Sequence, residues 1–279
     1  MIISIASGKG GTGKTTVAVN LALSLENNVQ YLDCDVEEPN GHIFIKPEFQ
    51  PPITVGTPIP EVDKSKCSYC GKCGEICQYN AILVIKNNVL VFPELCHSCA
   101  GCWLVCPEDA ISPIERELGI IEQGNNGGVE FIHGKLRIGE AMSPPLIRKV
   151  KEKIDPAKTV IIDAPPGTSC PVIESIKKSD FILLVTEPTP FGLNDLKLAV
   201  EMVRSLKLKL GVIINRSDVG NDEVRDYCAE ENIPILMEIK NDRKIAEAYS
   251  RGVPLVALYP EYRAKFQTLY HDIERRAGA

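Results

Sequence analysis

The segment from Ser7 to Thr16 has the glycine and lysine pattern of a phosphate-binding loop. It fits G-x-x-x-x-G-K-[ST], with Gly8 and Gly13 as the fixed glycines. Glycines let backbone N–H groups converge on phosphate oxygens, and the N-terminus of the following helix adds positive potential. Lys14 is expected to reach the β- and γ-phosphates, and the Thr15 hydroxyl to bind Mg²⁺. The residues predicted to contact a nucleoside triphosphate here are Gly8, Gly10, Gly11, Thr12, Gly13, Lys14, Thr15 and Thr16.

Eight of the eleven cysteines form two runs with the same spacing. Each run reads C-x2-C-x2-C-x3-C, which is typical of bacterial ferredoxins, where the fourth cysteine binds the cluster of the other run. Each run also ends alike, with Asn80-Ala81-Ile82 after the first and Asp109-Ala110-Ile111 after the second, which indicates an internal duplication. The spacing predicts two [4Fe–4S] clusters, one held by Cys67, Cys70, Cys73 and Cys106 and the other by Cys96, Cys99, Cys102 and Cys77.

Zinc and disulfides are the competing interpretations of these cysteines. Structural zinc favours C-x2-C pairs separated by a longer spacer, and disulfides favour small secreted domains. No signal peptide precedes the phosphate loop. Three cysteines are isolated and are expected to be small core or subsurface residues: Cys34, Cys170 and Cys228.

Carboxylates stand at the ends of two predicted strands. Because ligands bind at the carboxyl ends of the strands in an open α/β sheet, these groups are candidates for the chemistry of a magnesium nucleotide. Asp35 is predicted to position the attacking water, and Asp33 to support magnesium or the loop. Asp163 ends an apolar run as a Walker B acid does and is predicted to bind Mg²⁺ together with Thr15 and Asp33.

Two further segments are predicted to complete the nucleotide site. The loop from Ala164 to Thr168 is placed to sense the γ-phosphate, and Asn215-Arg216 is expected to hydrogen-bond the base. Asn215-Arg216-Ser217-Asp218 is also similar to the guanine motif N-K-x-D, so guanine remains an alternative to adenine.

Short apolar runs alternate with helical patterns along most of the chain, which predicts an α/β fold with a doubly wound, mainly parallel sheet. The predicted strands are Ile2–Ala6, Val29–Asp33, Thr159–Asp163, Phe181–Thr186, Leu210–Asn215 and Ile233–Met237. The predicted helices are Lys14–Leu25, Leu146–Lys153, Leu193–Leu206, Asp222–Glu231, Arg243–Arg251 and Glu261–Arg275. The cysteine runs interrupt this alternation, so we expect an α+β, ferredoxin-like domain at 60–118 inserted into an ATPase domain formed by 1–59 and 119–279. The segment Gly124–Gly128 is predicted to be a turn in the return to the main domain.

Composition excludes several classes of protein. The chain has 279 residues, 44% of them hydrophobic, a net charge of −6 and a pI near 5.4. An acidic chain lacks the basic face of a general nucleic-acid binder. The apolar runs have strand length and fall short of a membrane span, and no membrane anchor is expected. Many free thiols without an export signal predict a cytoplasmic protein.

Together these motifs make the chain similar to the MinD/Mrp-type deviant Walker A ATPases, specifically to those with an inserted ferredoxin domain. The resemblance covers essentially the whole chain. It is carried by Gly8–Thr15, Asp33-x-Asp35, Asp163–Thr168, Asn215-Arg216, Gly134–Glu140, Thr186–Pro190 and Arg251–Pro254. The resemblance implies that Lys9 is the signature lysine, which reaches across a homodimer to the nucleotide of the partner subunit. Lys9, Lys14 and Asp35 are then the candidate catalytic residues.

Three roles are compatible with these features. An ATPase could couple nucleotide-driven conformational change to electron transfer through two clusters, or serve in iron–sulfur or metallocofactor assembly. The third role is a regulatory or spatial-positioning ATPase whose ferredoxin unit docks partners or senses redox state. No flavin or substrate pocket is evident from the sequence, so the electron acceptor or cluster recipient is expected to be another protein.

Overall fold

The structure is a computed structural model that describes residues 1–25 and 27–278. The chain forms two compact units. The larger unit consists of Met1–Pro52, Ile121–Lys135 and Ile147–Ala279, and the cysteine-rich unit consists of Ile53–Ile120 and Leu136–Leu146. The bounds of the cysteine-rich unit are wider than the segment 60–118 and include a second stretch of chain.

The described residues contain twelve strands and eleven α-helices. The strands are β1 (Ile2–Ala6), β2 (Val29–Asp33), β3 (Glu48–Phe49), β4 (Ile53–Val62), β5 (Ile82–Ile85), β6 (Asn88–Val91), β7 (Ile111–Asn126), β8 (Val129–Leu136), β9 (Thr159–Asp163), β10 (Phe181–Thr186), β11 (Leu210–Asn215) and β12 (Ile235–Ile239). The helices are α1 (Lys14–Ser24), α2 (His42–Ile45), α3 (Lys72–Ile76), α4 (Gly101–Leu104), α5 (Pro144–Lys151), α6 (Cys170–Ile176), α7 (Pro190–Ser205), α8 (Glu223–Glu230), α9 (Arg243–Ser250), α10 (Leu255–Leu258) and α11 (Glu261–Gly278). None of these helices is long and apolar enough to cross a membrane.

The larger unit is built on a mainly parallel sheet. Its strand order is β12-β11-β10-β1-β9-β2-β8-β7-β3. The neighbours from β12 to β8 pair in parallel, and β3 pairs antiparallel with β7. The prediction of an α/β fold with a mainly parallel sheet is therefore confirmed.

Both faces of this sheet are covered by apolar side chains. Successive residues of a strand point to opposite faces, so Leu183 and Leu184 of β10 enter different cores. Leu183 packs in a core that includes residues of α1 and α11, whereas Leu184 packs in a core that includes residues of α6 and α7. Burial on both faces explains why these strands are continuous apolar runs rather than alternating ones.

The cysteine-rich unit has a small core of its own. The strands β5 and β6 pair antiparallel, and β4 pairs with β7. Its buried core residues include two cysteines: Cys73, Ile82, Val89, Cys102 and Ile111. Only a few apolar side chains support this unit, which is the situation in which small domains rely on a metal or a covalent cross-link.

Two local predictions were wrong in position. The last strand is Ile235–Ile239 rather than Ile233–Met237, since its register against β11 shifts between Val212 and Ile213 and pairing then continues to Ile239. Gly124 belongs to strand β7, so the turn is confined to Gly127 and Gly128, with φ of 54° and 86°. Positive φ at both central residues suits the two-residue turn of a hairpin, which glycine adopts without steric cost.

A buried histidine lies beside the aromatic side chains of the larger unit. His133 of β8 is fully buried, and its Nε2 lies 2.8 Å from Oε2 of Glu122, which also pairs with Lys135 at 2.6 Å. The rings of Phe49 and His42 pack against His133, each with its centroid 5.3 Å away. Burial lowers the pKa of His133 to about 4, although the carboxylate of Glu122 acts in the opposite direction.

This burial predicts a loss of stability in acid. The unfolded chain binds a proton at His133 below about pH 6.5, whereas the folded chain does not until about pH 4. The free energy of unfolding should therefore fall by up to about 3 kcal/mol as the pH drops from about 6.5 to 4. Urea unfolding across this pH range should show a shallower dependence for His133→Gln. His271→Gln, which changes an exposed histidine of α11, is the control and should match the wild type. Equal pH dependence in all three proteins would contradict the prediction.

Candidate functional site

The glycine-rich loop lies at the carboxyl end of β1 and opens into a pocket of about 620 Å³. Gly13, with φ of 96°, precedes α1, and Gly11 has φ of 79°. Left-handed backbone at both positions explains why glycine is required there. Of the predicted loop contacts, these residues line the pocket: Gly10, Gly11, Gly13, Lys14, Thr15 and Thr16.

The remaining residues of the loop have other surroundings. Gly8 lies against α7, where an added Cβ would come 2.2 Å from the carbonyl oxygen of Asp195. Thr12 is buried, and its hydroxyl has no hydrogen-bond partner among the described residues. Lys9 is half-buried and does not belong to the pocket lining of the described chain.

Asp33 holds the loop that follows β2. Its carboxylate is fully buried and accepts backbone N–H bonds from Asp35 at 3.2 Å, Asn40 at 3.0 Å and Gly41 at 2.9 Å. Hydrogen bonds to a carboxylate are stronger than those between neutral groups, so they fix the loop firmly. Burial nevertheless raises the pKa of Asp33, and the neighbouring Asp163 adds to this effect.

Asp163 ends β9 directly beside Asp33, since the two residues are Cα partners in the sheet. It is almost fully buried, and its Oδ2 accepts a hydrogen bond of 3.0 Å from the hydroxyl of Tyr31. Burial raises the pKa of Asp163, whereas Lys14 and the hydroxyl of Thr15 act to lower it. The three residues predicted to bind Mg²⁺ therefore lie close together, since Asp163 is next to both Asp33 and Thr15.

Asp35 differs from this pair because it lines the pocket. Burial, and then the charge of Asp163, raises the pKa of Asp35 to about 6. A half-exposed carboxylate on the phosphate side of the pocket suits the predicted role of orienting water. The loop after β9 is tied to the glycine-rich loop, since the N–H of Gly167 donates to the carbonyl of Ser7 at 3.0 Å, and Pro166 lines the pocket.

Asn215 and Arg216 line the pocket at the end of β11. The amide of Asn215 donates a hydrogen bond of 2.9 Å to the carbonyl of Thr12, so it also supports the loop, and Arg216 forms an ion pair of 2.8 Å with Glu187. Asp218 accepts the N–H of Asn241 at 2.6 Å and is absent from the lining of the pocket among the described residues.

Sequence reasoning missed the side of the pocket formed after β12. The lining residues there are Ile239, Lys240, Asn241, Asp242, Ile245, Ala246 and Tyr249. Because the strand was expected to end at Met237, the polar residues at its true carboxyl end were not recognised. Tyr31 was missed for another reason, since inside an apolar strand it has the pattern of an ordinary core residue.

In the cysteine-rich unit, the eight cysteines line two separate recesses. Each recess takes three cysteines from one run and the fourth from the other. One contains Cys67, Cys70, Cys73 and Cys106, and the other contains Cys77, Cys96, Cys99 and Cys102. These are the two predicted sets of four. Among the described residues, no three His, Cys, Asp or Glu side chains are placed to hold one metal ion.

The backbone around the cysteines repeats as the sequence does. Ala81 donates its N–H to the sulfur of Cys77 and Ala110 to that of Cys106, both at 3.3 Å. The two halves also have left-handed residues at equivalent positions, namely Tyr69 and Ser98, Gly71 and Ala100, and Asn80 and Asp109.

Burial raises the pKa of the thiol of Cys102 to about 11. Metal binding replaces the proton of such a thiol, and N–H donors stabilise the resulting thiolate. The donor sets therefore fit thiolate-bound iron–sulfur clusters.

The isolated cysteines behave differently from one another. Cys34 and Cys228 are buried, as expected. The expectation of a core or subsurface position was wrong for Cys170, which is exposed. It is the first residue of α6 and stands immediately before Pro171, so it lies at a helix end rather than in the core.

Comparisons with known proteins agree with this architecture. The family model described as the CobQ/CobB/MinD/ParA nucleotide binding domain matches residues 3–255. An uncharacterized protein of Methanocaldococcus jannaschii is 37% identical over 226 residues, covering 79% of this chain and 80% of the relative. An iron-sulfur cluster carrier protein of the same organism is 26% identical and covers 97% of this chain and 83% of its own length. The septum site-determining protein MinD complexed with Mg-ADP from Pyrococcus horikoshii has a TM-score of 0.58 at 22% identity, covering 99% and 97% of the two chains. With its glycine-rich loop at the carboxyl edge of the sheet, the chain belongs to the CobQ/CobB/MinD/ParA nucleotide binding domain family.

Proposed function

We propose that the protein is a magnesium-dependent ATPase whose nucleotide cycle acts on two [4Fe–4S] clusters. The observation that carries the ATPase proposal is the pocket itself, in which the phosphate loop, Lys14 and Asp35 meet at the carboxyl edge of the sheet. The MinD structure complexed with Mg-ADP supports a magnesium nucleotide as the ligand.

In this proposal the loop backbone and Lys14 hold the phosphates. Thr15 and Asp163 bind Mg²⁺, and Asp33 supports them by fixing the loop after β2. Asp35 orients the attacking water, and Asn215 and Arg216 contact the base. Catalysis then rests on positioning and on charge stabilisation, which dominate in phosphoryl transfer.

Variants of Lys14 and Asp35 separate binding from hydrolysis. Lys14→Ala should abolish tight binding, because Lys14 contacts phosphate in the ground state. Asp35→Asn should retain binding and slow hydrolysis by about 100-fold or more, because the carboxylate acts on water in the chemical step. Fluorescence titration with labelled ATP and phosphate release measure the two effects. Hydrolysis by Asp35→Asn at the wild-type rate would show that the role of Asp35 is wrong.

We also infer that 60–118 forms a ferredoxin-like domain that holds both clusters as resident cofactors. Support comes from the two complete cysteine recesses and from the N–H donors to Cys77 and Cys106. When bound, such clusters supply one-electron redox chemistry. Each recess draws on both runs, so neither set of four is complete without the other half of the repeat.

Single cysteine variants test this assignment. Anaerobically prepared protein should contain about eight iron and eight sulfide per chain. Because Cys70 and Cys106 line the same recess, Cys70→Ser and Cys106→Ser should lose the same cluster and leave the same residual electron paramagnetic resonance spectrum. The control Cys170→Ser changes an exposed cysteine outside both recesses and should keep all the iron. Stoichiometric zinc without iron would contradict the proposal.

Electron transfer and cluster assembly are distinguished by what ATP does to bound iron. The complete set of four cysteines in each recess favours resident clusters and electron transfer to a partner protein. The relatives described as iron-sulfur cluster carrier proteins favour assembly. The measurement is the iron content of the same preparations after exposure to a chelator, with and without MgATP. Iron that is retained under both conditions supports electron transfer. Loss of iron only when MgATP is present supports assembly.

The proposed cycle includes an ATP-closed homodimer in which Lys9 contacts the nucleotide of the partner subunit. Lys9 lies on the glycine-rich loop but outside the lining of its own pocket, so its ammonium group is available to a second chain. A lysine–phosphate contact shielded from water is a charge-assisted bond worth roughly 1.5–3 kcal/mol.

This contact should make dimerisation depend on ATP. Lys9→Ala should weaken the ATP-bound dimer about ten- to a hundredfold for each site, since about 1.4 kcal/mol is a factor of ten. Sedimentation with and without a slowly hydrolysed ATP analogue measures the effect. Lys153→Ala, which removes an exposed lysine of the same unit, should dimerise as the wild type does. Monomers in every sample would exclude both the dimer and the role of Lys9.

A further inference from the structure

Tyr31 places a hydroxyl group deep inside the larger unit. The residue lies in the middle of β2 and is fully buried. Its hydroxyl donates a hydrogen bond of 3.0 Å to Oδ2 of Asp163. A tyrosine hydroxyl is rarely buried without a partner, and here the partner is the carboxylate that ends the neighbouring strand β9.

The second oxygen of Asp163 has no such bond. Oδ1 is buried and has no hydrogen-bond partner among the described residues. A buried carboxylate oxygen without a partner is costly, so it indicates a position where a cation is expected. Lys14 and the hydroxyl of Thr15 both act to lower the pKa of Asp163, so both lie close to its carboxylate. Tyr31 therefore engages one oxygen and leaves the other without a hydrogen-bond partner in the described part of the chain.

The ring of Tyr31 is held from two directions. It stacks on Phe131 with centroids 5.5 Å apart and an angle of 11° between the rings. On another side it meets Gly41, where an added Cβ would lie 2.7 Å from the ring, and the N–H of Gly41 donates to Asp33. A ring fixed in this way holds its hydroxyl, and hence the carboxylate of Asp163, in one orientation.

We propose that Tyr31 is a positioning residue that sets the affinity of the nucleotide site for Mg²⁺ by orienting Asp163. This inference rests on the proposed function of the site as a magnesium nucleotide site. Groups that hydrogen-bond to a metal ligand without touching the metal typically change metal affinity when they are removed. Tyr31 is such a group because its hydroxyl contacts the carboxylate and not the pocket.

The test is a magnesium titration of nucleotide binding. Fluorescent ADP is bound to the full chain in EDTA and then at increasing Mg²⁺. Tyr31→Phe, which removes only the hydroxyl, should raise the Mg²⁺ concentration at half-saturation by about 10- to 100-fold. Its affinity for the nucleotide in EDTA should be unchanged, because Tyr31 does not contact the ligand.

Two further variants separate positioning from packing. Tyr270→Phe is the matched control, since the hydroxyl of Tyr270 bonds to Thr159, 3.1 Å away, and this variant should titrate as the wild type does. Phe131→Leu removes the stacked ring but keeps the Tyr31 hydroxyl, its bond to Asp163 and the close approach of Gly41 to the ring. It should therefore lower the melting temperature but change the Mg²⁺ dependence far less than Tyr31→Phe.

The possible results of these titrations distinguish the role of Tyr31 from the proposed function of the site. A Tyr31→Phe titration that matches the wild type overturns the inference and leaves the proposed function intact. Equal shifts in Tyr31→Phe and Phe131→Leu also overturn it, because they show a general packing effect. Nucleotide binding by the wild type that is absent, or independent of Mg²⁺, overturns the proposed function instead.

Discussion

Two carboxylates, Asp33 and Asp163, stand side by side at the ends of β2 and β9, almost without access to solvent. Burying a charged group is expensive unless hydrogen bonds or opposite charges compensate it. Asp33 is compensated by three backbone N–H groups, which determine the path of the chain from Asp35 to Gly41. Asp163 is compensated by Tyr31 and by the nearby Lys14. One of this pair of acids thus holds the loop after β2, and the other lies close to Lys14 and Thr15 of the phosphate loop.

The cysteine-rich unit follows a different principle, in which the backbone repeats while the side chains differ. The equivalent left-handed residues Ser98 and Ala100 occupy the second half, where the first has Tyr69 and Gly71. The conformation therefore does not depend on glycine alone, since non-glycine residues adopt it at a cost of roughly 1–2 kcal/mol. Both halves bear this cost, at Tyr69 and Asn80 in the first and at Ser98, Ala100 and Asp109 in the second.

The features predicted most accurately from the sequence were those that depend on residues close together in the chain, such as strands and cysteine spacing. The strands Ile2–Ala6 and Thr159–Asp163 were predicted to the residue, because strands covered on both faces of a parallel sheet are nearly continuous apolar runs. The grouping of the eight cysteines in two recesses also followed from their spacing. Features that depend on distant contacts were not predictable. The true end of β12 depends on a register shift against β11, and the role of Tyr31 depends on a residue far away in sequence.

Each of the two units is made of separate segments of the chain, so neither corresponds to one continuous stretch of the gene. The chain passes between the units at Pro52, Ile120, Lys135 and Leu146, and the single strand β7 contributes residues to both. A gene segment transferred as one uninterrupted block would leave 136–146 behind or carry part of the sheet with it. The cysteine-rich unit is therefore poorly suited to gain or loss in a single recombination event. Any engineered transplant of it must carry two separate pieces of sequence.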